Sequence, residues 1–390
     1  MNLRLLFVVE SGTDVRLVEG LCERASLHLL ARRIPGGREI SQPSRAHFET
    51  EIGPAGLLSF ARFVLRRVWS LRTRVDCVIV QGYGLAAAAA NLVGRLVRLP
   101  VVMLVCSPVE AYYRCRRFPD SERPYRAIEY AALWTLARLN ARIGQRYVAL
   151  SPYLAGVLRG HGTTRPIDVI PVYGVDTTAF APSTEAREAL RARLELPSGV
   201  PLLFFSSRVA PEKDADTLLE AVRLLQSRGR RVCLVHLSGG FRTFLQRAAA
   251  HGVDHLVHAR DAMPPDASLA DVYRAVDLCV QASREEGLGF SVLEALACGV
   301  PVVATAVGGL RDTIRDGDTG WSVPAGDPAA LADAIAAALD SPEEAAARAA
   351  RGRALVAREY ERSLVFERFW HVFDSLLPLQ GETAVVRSGP

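Results

Sequence analysis

Short apolar segments alternate with helical patterns along the whole chain, in two series. The first series lies at 3–9, 77–80, 101–105, 147–150 and 168–170. The second lies at 202–205, 232–237, 256–258, 278–281, 302–304 and 320–323. Strands that are apolar throughout and separated by helices form parallel sheets with helices on both faces. The pattern therefore predicts an α/β protein with two Rossmann-like domains that face a cleft and bind ligand at the carboxyl ends of their strands.

The segment 182–200 carries proline, serine and charged residues and separates the two series, so we interpret it as a linker. We predict an N-terminal domain at 1–180 and a C-terminal domain at 181–364. A final helix at about 365–390 is expected to pack back on the N-terminal domain. The alanine-rich stretch 328–352 is expected to be helical rather than disordered.

The composition favours a cytoplasmic protein. The seven cysteines form no C-x-x-C pair and mostly lie in apolar runs, which indicates buried free thiols in a reducing compartment. The most apolar long stretch, 85–105, is interrupted by Arg95, Arg98 and Pro100, so we expect a helix and a strand there rather than a membrane span. The first residues are expected to form a strand and not a signal peptide.

Charge is distributed unevenly along the chain. Residues 1–180 contain 24 arginines and 14 acidic residues, a net charge of +10, whereas the remainder has 23 basic and 28 acidic residues, a net charge of −5. A basic half suits an anionic surface or a phosphorylated substrate. No basic and aromatic binding motif accompanies the charge, so we do not expect nucleic acid as a partner.

Lys213 is the only lysine among 47 basic residues. It ends the segment Ser207-Arg208-Val209-Ala210-Pro211-Glu212-Lys213, between a predicted strand and a helical pattern. Loops at this place hold phosphates in α/β proteins, because backbone N–H groups and the helix dipole point outward. A compact ammonium and a planar guanidinium are not interchangeable at such a site. The alternative is a lysine that lies by chance on a solvated helix start.

The segment from Ser283 to Ala295 contains two carboxylates with seven residues between them, Glu286 in a loop and Glu294 in the following helix. Two such groups can accept hydrogen bonds from hydroxyls on different parts of one ligand. The N–H groups of Gly289, Phe290 and Ser291, at the helix start, can face phosphate. These features together suit a nucleotide sugar, although two glutamates at this spacing are also common structural residues. The G-x-G-x-x-G pattern of nicotinamide and flavin sites is absent after the first predicted strand.

These residues resemble the retaining glycosyltransferases of family 4, also called glycosyl transferases group 1. The glutamate pair is similar to the E-x7-E signature of that family, and Arg208 with Lys213 is similar to its R-x4-K diphosphate clamp. Further similar segments are 149–153, 169–176, 299–304, 307–312 and 316–324. The resemblance is specific between 200 and 340 and loose before 145.

The resemblance implies a GT-B fold and transfer of a hexose-type sugar, with retention and without a metal, from a UDP- or GDP-sugar to an acceptor. The implied catalytic residues are Glu286, Arg208 and Lys213. The implied donor-binding residues are Gly12, Arg208, Lys213, Glu286, Gly289, Phe290, Ser291 and Glu294. The implied acceptor-binding residues, on the N-terminal domain, are Cys106, Glu110, Arg114 and Arg117. No cofactor is expected, and we interpret the D-x-D matches at 214–216 and 316–318 as a helix start and a turn.

Three positions depart from the family pattern. Cys106 stands where many members have histidine, Ser11-Gly12 replaces a pair of glycines, and Tyr173 stands where asparagine is usual. Gly12 alone then offers close backbone approach to a ligand. An aromatic residue at 173 either borders the cleft or serves packing.

The acceptor is expected to be anionic or lipid-linked, in glycan or glycolipid assembly, with peripheral contact at the inner face of a membrane. The basic amphipathic pattern at 57–74 and the cluster Arg114, Arg116 and Arg117 suggest this. The same helix also fits plain packing on a sheet with a solvated arginine edge, and a small natural-product acceptor stays open. Other classes considered are a GT-B sugar-nucleotide epimerase, a non-catalytic scaffold, and a phosphorylase with pyridoxal phosphate on Lys213.

Overall fold

The computed structural model describes residues 3–34, 48–118, 124–183, 185, 187–263 and 267–376. The N-terminal sheet has seven strands: β1 (Leu3–Val9), β2 (Ala25–Arg32), β3 (Phe48–Gly53), β4 (Cys77–Gln81), β5 (Val101–Val105), β6 (Arg146–Ala149) and β7 (Ile167–Val169). They are all parallel, in the order β3-β2-β1-β4-β5-β6-β7.

The C-terminal sheet has six strands: β8 (Leu202–Phe204), β9 (Cys233–Leu237), β10 (Val257–Arg260), β11 (Leu278–Gln281), β12 (Val302–Thr305) and β13 (Trp321–Val323). They are also parallel, in the order β10-β9-β8-β11-β12-β13. The strand order reverses direction at β8 and β11 in this sheet and at β1 and β4 in the other. Crevices open at such switch points on the carboxyl edge of a parallel sheet.

Helices cover the sheets. Those that follow the N-terminal strands or join the two sheets are α1 (Val15–Leu21), α2 (Leu57–Leu71), α3 (Leu85–Val97), α4 (Val109–Arg114), α5 (Ala127–Ile143), α6 (Pro152–Gly160) and α7 (Arg187–Arg193). The others are α8 (Ala215–Ser227), α9 (Phe241–Ala250), α10 (Ala267–Ala275), α11 (Phe290–Ala297), α12 (Leu310–Thr313), α13 (Pro328–Asp340), α14 (Pro342–Glu359) and α15 (Arg362–Leu376). The predicted α/β class with two parallel sheets is confirmed.

Two strands, β2 and β3, were not predicted from the sequence. β3 forms the outer edge of its sheet, and Glu49 and Glu51 in it are only partly covered. Charged side chains on an edge strand discourage pairing with other chains. Such a strand lacks the continuous apolar run by which a central strand is predicted from sequence. The predicted strands themselves match the structure to within one to two residues at their ends.

The predicted linker contains the short helix α7, which packs on the C-terminal domain. Arg191 in α7 is only 4% exposed. It donates to the carbonyl oxygen of Ala275 at 2.9 Å and to Asp277 at 2.6 Å. The alanine-rich stretch is helical as predicted, but Ser341 and Pro342 divide it into α13 and α14, because proline begins a helix more readily than it continues one.

The final helix, α15, lies against the N-terminal domain. The ring of Phe366 packs so closely on Gly20 that an added Cβ would come within 1.9 Å of it. Arg24 and Glu367 form an ion pair, and Val175 and Glu361 pair as an isolated bridge. The helix begins before the predicted start, and residues 377–390 lie outside the described part of the chain.

Candidate donor site

Glu286 and Lys213 meet at the carboxyl edge of the C-terminal sheet. Glu286 follows β11 and is 7% exposed, and Lys213 directly precedes the N-cap of α8. The Lys213 ammonium forms a short ion pair with Oε2 of Glu286. The predicted carboxylate and the predicted cation therefore lie in direct contact, although 73 positions separate them in the chain.

Tyr112, in α4 of the N-terminal domain, also reaches Glu286. Its hydroxyl lies 3.5 Å from Oε1 of Glu286 and accepts a hydrogen bond of 3.2 Å from the N–H of Gly287. Ser151 donates to the carbonyl oxygen of Gly287 at 2.7 Å. The N-terminal domain thus fixes the Glu286 loop from across the cleft.

The glycine pair at 308–309 contacts the backbone of the same loop. Gly308 has φ +45°, and an added Cβ would come within 1.9 Å of the Glu286 carbonyl oxygen. The N–H of Gly309 donates to that oxygen at 3.0 Å. Only a residue without a side chain lets the two backbones approach this closely, which explains the glycines of the 307–312 segment.

Glu294 lies inside α11 and is 4% exposed. Its Oε1 accepts a hydrogen bond of 2.7 Å from Nη1 of Arg16, and its Oε2 accepts one of 3.0 Å from the hydroxyl of Tyr273. Burial raises the pKa of Glu294 and the Arg16 guanidinium lowers it, with a net increase. The carboxylate is held by two donors, one of which comes from the N-terminal domain.

The start of α11 has no side-chain cap. Gly289, with φ +92°, occupies the N-cap position, so no side chain accepts from the first N–H groups of the helix there. The Ser291 hydroxyl is turned away, since it donates to Gln281 at 3.3 Å. The Phe290 ring stacks on Tyr173 with 4.1 Å between centroids. Tyr173 therefore borders the cleft and also packs against Phe290.

Within the described residues, Arg208 forms an ion pair with Glu212 at 3.4 Å rather than with Glu286, and its side chain is 72% exposed. Gly12, after β1, has φ +100°, and an added Cβ would meet no atom within 4 Å. Open space thus lies beside the Cα of Gly12, while its carbonyl oxygen accepts from Gln81 at 3.1 Å.

The four predicted acceptor residues are not gathered at one point. Cys106 is half-buried, and its carbonyl oxygen lies 2.8 Å from an idealised Cβ on Gly287. Glu110 is 6% exposed and hydrogen-bonds His161 at 2.5 Å. Arg114 is exposed, and Arg117 stacks on Tyr125 at 4.1 Å. Cys106 thus lies beside the Glu286 loop, whereas Glu110 faces the domain interior and Arg117 faces another side chain.

Burial raises the pKa of the Cys106 thiol to about 12. Burial is the largest influence and raises the pKa of Glu110, but the His161 hydrogen bond, a backbone hydrogen bond and the nearby Arg114 together lower it more, so the net shift is downward. A thiol at 106 therefore stays protonated at neutral pH and is a weak nucleophile.

Both D-x-D matches have structural partners. Asp214 caps α8 and pairs with Arg284 at 2.7 Å, and Asp216 pairs with Arg247. Asp316 accepts from the N–H of Ser322 at 3.3 Å in a turn through Gly317, which has φ +75°. Within the described residues, no group of three or more His, Cys, Asp and Glu side chains is placed to hold a metal ion.

Three residues that contact the two glutamates were not predicted: Arg16, Tyr112 and Tyr273. Tyr112 lies just before the predicted basic cluster of Arg114, Arg116 and Arg117. Arg16 and Tyr273 lie in segments without a recognised motif, and Arg16 is 278 positions from Glu294. One signal was available, since Arg16 follows Gly12 at the start of the first helix, where a side chain can reach the cleft.

The two parallel sheets form the GT-B fold, which solved glycosyltransferases share. Similar solved structures include sucrose-phosphate synthase from Thermosynechococcus elongatus, with a TM-score of 0.78 at 21% identity, covering 96% of this chain and 99% of that one. HepE of Anabaena in complex with UDP-glucose has a TM-score of 0.75 at 16% identity, covering 96% and 100%. Likenesses at these identities concern the fold.

Residues 186–355 match the family model described as glycosyl transferases group 1. The D-inositol 3-phosphate glycosyltransferase of Xylanimonas cellulosilytica is 40% identical over 48% of this chain and 46% of its own length.

A second relative comes from Mycolicibacterium smegmatis, the GDP-mannose-dependent alpha-(1-6)-phosphatidylinositol monomannoside mannosyltransferase. It is 38% identical over 46% of this chain and 49% of its own length. The chain thus spans about half the length of the curated relatives it matches.

Proposed function

We propose that this protein is a retaining glycosyltransferase that moves a hexose from a UDP- or GDP-sugar to an acceptor in glycan or glycolipid assembly. The observation that carries the proposal is the contact between Lys213 and Glu286, with Glu294 in the helix behind, at the mouth of a cleft between two parallel sheets. The relative named for GDP-mannose and the neighbour solved with UDP-glucose support a nucleotide-sugar donor.

In this proposal the two glutamates bind different parts of the donor. Glu286 accepts hydrogen bonds from sugar hydroxyls and Glu294 accepts them from the ribose, because carboxylates are strong acceptors. The N–H groups at the start of α11 face the diphosphate, where the helix dipole favours negative charge.

Arg208 and Lys213 would neutralise the departing diphosphate in place of a metal ion. The exposed side chain of Arg208 has room to exchange Glu212 for a phosphate oxygen. The departing phosphate assists proton removal from the acceptor hydroxyl on the same face of the sugar, so that configuration is retained. No covalent intermediate is required, and the high pKa of the Cys106 thiol fits a route without it.

The two glutamates give the experiment that tests the proposal. Glu286→Ala should abolish transfer while nucleotide binding persists, because its carboxylate is assigned to the sugar. Glu294→Ala should weaken nucleotide binding about tenfold to a hundredfold, since a hydrogen bond to a charged group is worth roughly 1.5–3 kcal/mol. Transfer rates and calorimetric Kd values measure both effects, and Glu343→Ala, at an exposed position of α14, is the control. Near-normal turnover in both glutamate variants would contradict the proposal.

We further propose that the acceptor is anionic or lipid-linked and that the protein contacts the inner face of a membrane. The inner side of α2 packs on its sheet through Phe60, Val64 and Val68, so packing is already satisfied there. Its outer side still exposes Leu58 (68%) and Trp69 (46%).

Exposed arginines flank these apolar side chains. Arg62 and Arg66 lie on the outer side of α2, and the neighbouring helix α3 exposes Leu92 (63%) and Leu96 (71%). We call this surface the α2–α3 outer face. Apolar side chains flanked by arginine suit the headgroup region of an anionic bilayer. None of the described helices is both long and apolar enough to cross a bilayer.

A further inference from the structure

Both oxygens of the carboxylate assigned to the ribose have donors within the protein. Each oxygen of Glu294 accepts one hydrogen bond, from Arg16 at 2.7 Å and from Tyr273 at 3.0 Å. Only 5% of the Glu294 side chain is exposed. Tyr273 belongs to the same domain as Glu294, whereas Arg16 reaches it from the other side of the cleft.

The N-terminal domain fixes Arg16 firmly. Asp14, the N-cap of α1, accepts from its Nε at 3.0 Å and from its Nη2 at 2.9 Å. The guanidinium also lies 4.4 Å above the ring of Tyr173 and donates to the Tyr173 hydroxyl at 3.2 Å. These contacts leave Nη1 directed at Glu294, so the Arg16–Glu294 ion pair joins the two domains.

We propose that Arg16 competes with the nucleotide ribose for Glu294, so that donor binding breaks this interdomain ion pair. The inference rests on the proposed function, which assigns the ribose to Glu294. A carboxylate oxygen can accept two hydrogen bonds, but this side chain is only 5% exposed. A ribose hydroxyl that donates to Oε1 therefore has to displace Nη1 of Arg16, which lies at 2.7 Å.

Asp14 makes the exchange feasible. After leaving Glu294, the guanidinium keeps its two hydrogen bonds to Asp14, so it is not stranded as an unpaired charge. The energy of the lost ion pair subtracts from the donor affinity, because a ligand is opposed by whatever favours the ligand-free state. When the nucleoside diphosphate leaves, the pair forms again and closes the ribose position. Arg16 is therefore an affinity-determining residue of the donor site.

Isothermal titration of Arg16→Met with UDP, GDP and ADP tests the inference. The variant should bind the preferred nucleotide about tenfold more tightly than the wild type, since no charged hydrogen bond has to be broken. Arg24→Met is the matched control, because Arg24 lies in the same domain and its ion pair with Glu367 is exposed. Its affinity should equal that of the wild type.

A second measurement guards against poor folding of the methionine variant. Arg16→Lys keeps the charge but loses the paired hydrogen bonds to Asp14, and its affinity should fall between those of Arg16→Met and the wild type. Equal or weaker nucleotide binding by both Arg16 variants would overturn the inference, since Arg16 would then be indifferent to the nucleotide or contact it. Wild-type protein that binds no nucleotide at all would instead contradict the proposed function, and the inference with it.

Discussion

Lys213 is confined in a way that Arg208 is not. Its side chain is 12% exposed and contacts Glu286, whereas that of Arg208 is 72% exposed. Lys213→Arg should therefore reduce transfer at least tenfold although the charge is kept, because the planar guanidinium is bulkier than the space beside Glu286. Arg208→Lys should also lose activity, since one point charge replaces a fork that spans phosphate oxygens.

Steady-state transfer rates at saturating donor measure both changes. Arg353→Lys, on the exposed side of α14, is the control and should be neutral. A wild-type rate for Lys213→Arg would mean that the single lysine of the chain has no special role in transfer.

Cys106 stands where many family 4 glycosyltransferases have histidine, so a substitution at this position tests the proposed mechanism. Cys106→Ser should keep at least a tenth of the transfer activity, because the thiol, with a pKa of about 12, is protonated at neutral pH and has no role as nucleophile. Raising the pH from 7 to 9 should accordingly produce no increase in rate that depends on Cys106. A glycosyl group trapped on Cys106 and seen by mass spectrometry would refute this route.

The residues of the site divide into those that a local pattern reveals and those that it cannot reveal. Glu286, Glu294 and Lys213 stand in segments with fixed spacing, and the structure places all three at one edge of the sheet. Whether each has its implied role stays a prediction. Arg16 and Tyr112 reach the same glutamates from the other domain, and such contacts depend on how the domains face each other, which spacing along the chain does not encode.

At the scale of elements, the turn before α12 decides where the Glu286 loop lies. Gly308→Ala should destabilise the protein by more than about 2 kcal/mol and abolish transfer, because the new Cβ would collide with the Glu286 carbonyl oxygen at 1.9 Å. Gly317→Ala is the matched control. It also has a positive φ, +75°, but open space around the added atom.

The control should cost about 1–2 kcal/mol, the usual penalty of a left-handed alanine, and leave transfer intact. Thermal or chemical unfolding and a transfer assay measure the pair of variants. Equal loss of stability in both would mean that backbone strain alone, and not the contact with the Glu286 loop, requires Gly308.

Element type was predictable wherever burial on both faces gave a strand a continuous apolar run, as in β5 and β11. Prediction failed at β3, whose place at the sheet edge tolerates Glu49 and Glu51. It also failed to find α7 inside the predicted linker, because the burial of Arg191 is made possible by Asp277 and the Ala275 carbonyl, partners far along the chain. Polar residues that are buried through distant partners look like loop residues in a sequence.

At the scale of the whole molecule, the basic N-terminal half predicts binding to anionic vesicles. Sedimentation with vesicles of anionic lipid should show binding that weakens as salt rises, since each arginine near the surface contributes roughly 1 kcal/mol and is screened by ions. Arg62→Gln/Arg66→Gln should bind more weakly, and Leu58→Ser/Trp69→Ser should lose the part that survives high salt.

Arg353→Gln/Arg358→Gln removes the same charge from the exposed side of α14 and should leave vesicle binding unchanged. Absence of binding even at low salt would remove the membrane from the proposal. A small soluble acceptor would then be the remaining choice.

The chain passes between its two domains twice, and both passages lie together. Gly174, with φ +61°, lets the outgoing strand approach the carbonyl oxygen of Tyr360 and the backbone of Arg362 on the returning one, and Val175 pairs with Glu361 beside it. Two parallel segments thus join the domains side by side at one edge. Cutting or lengthening the 182–200 passage alone would therefore leave the halves joined at the second segment.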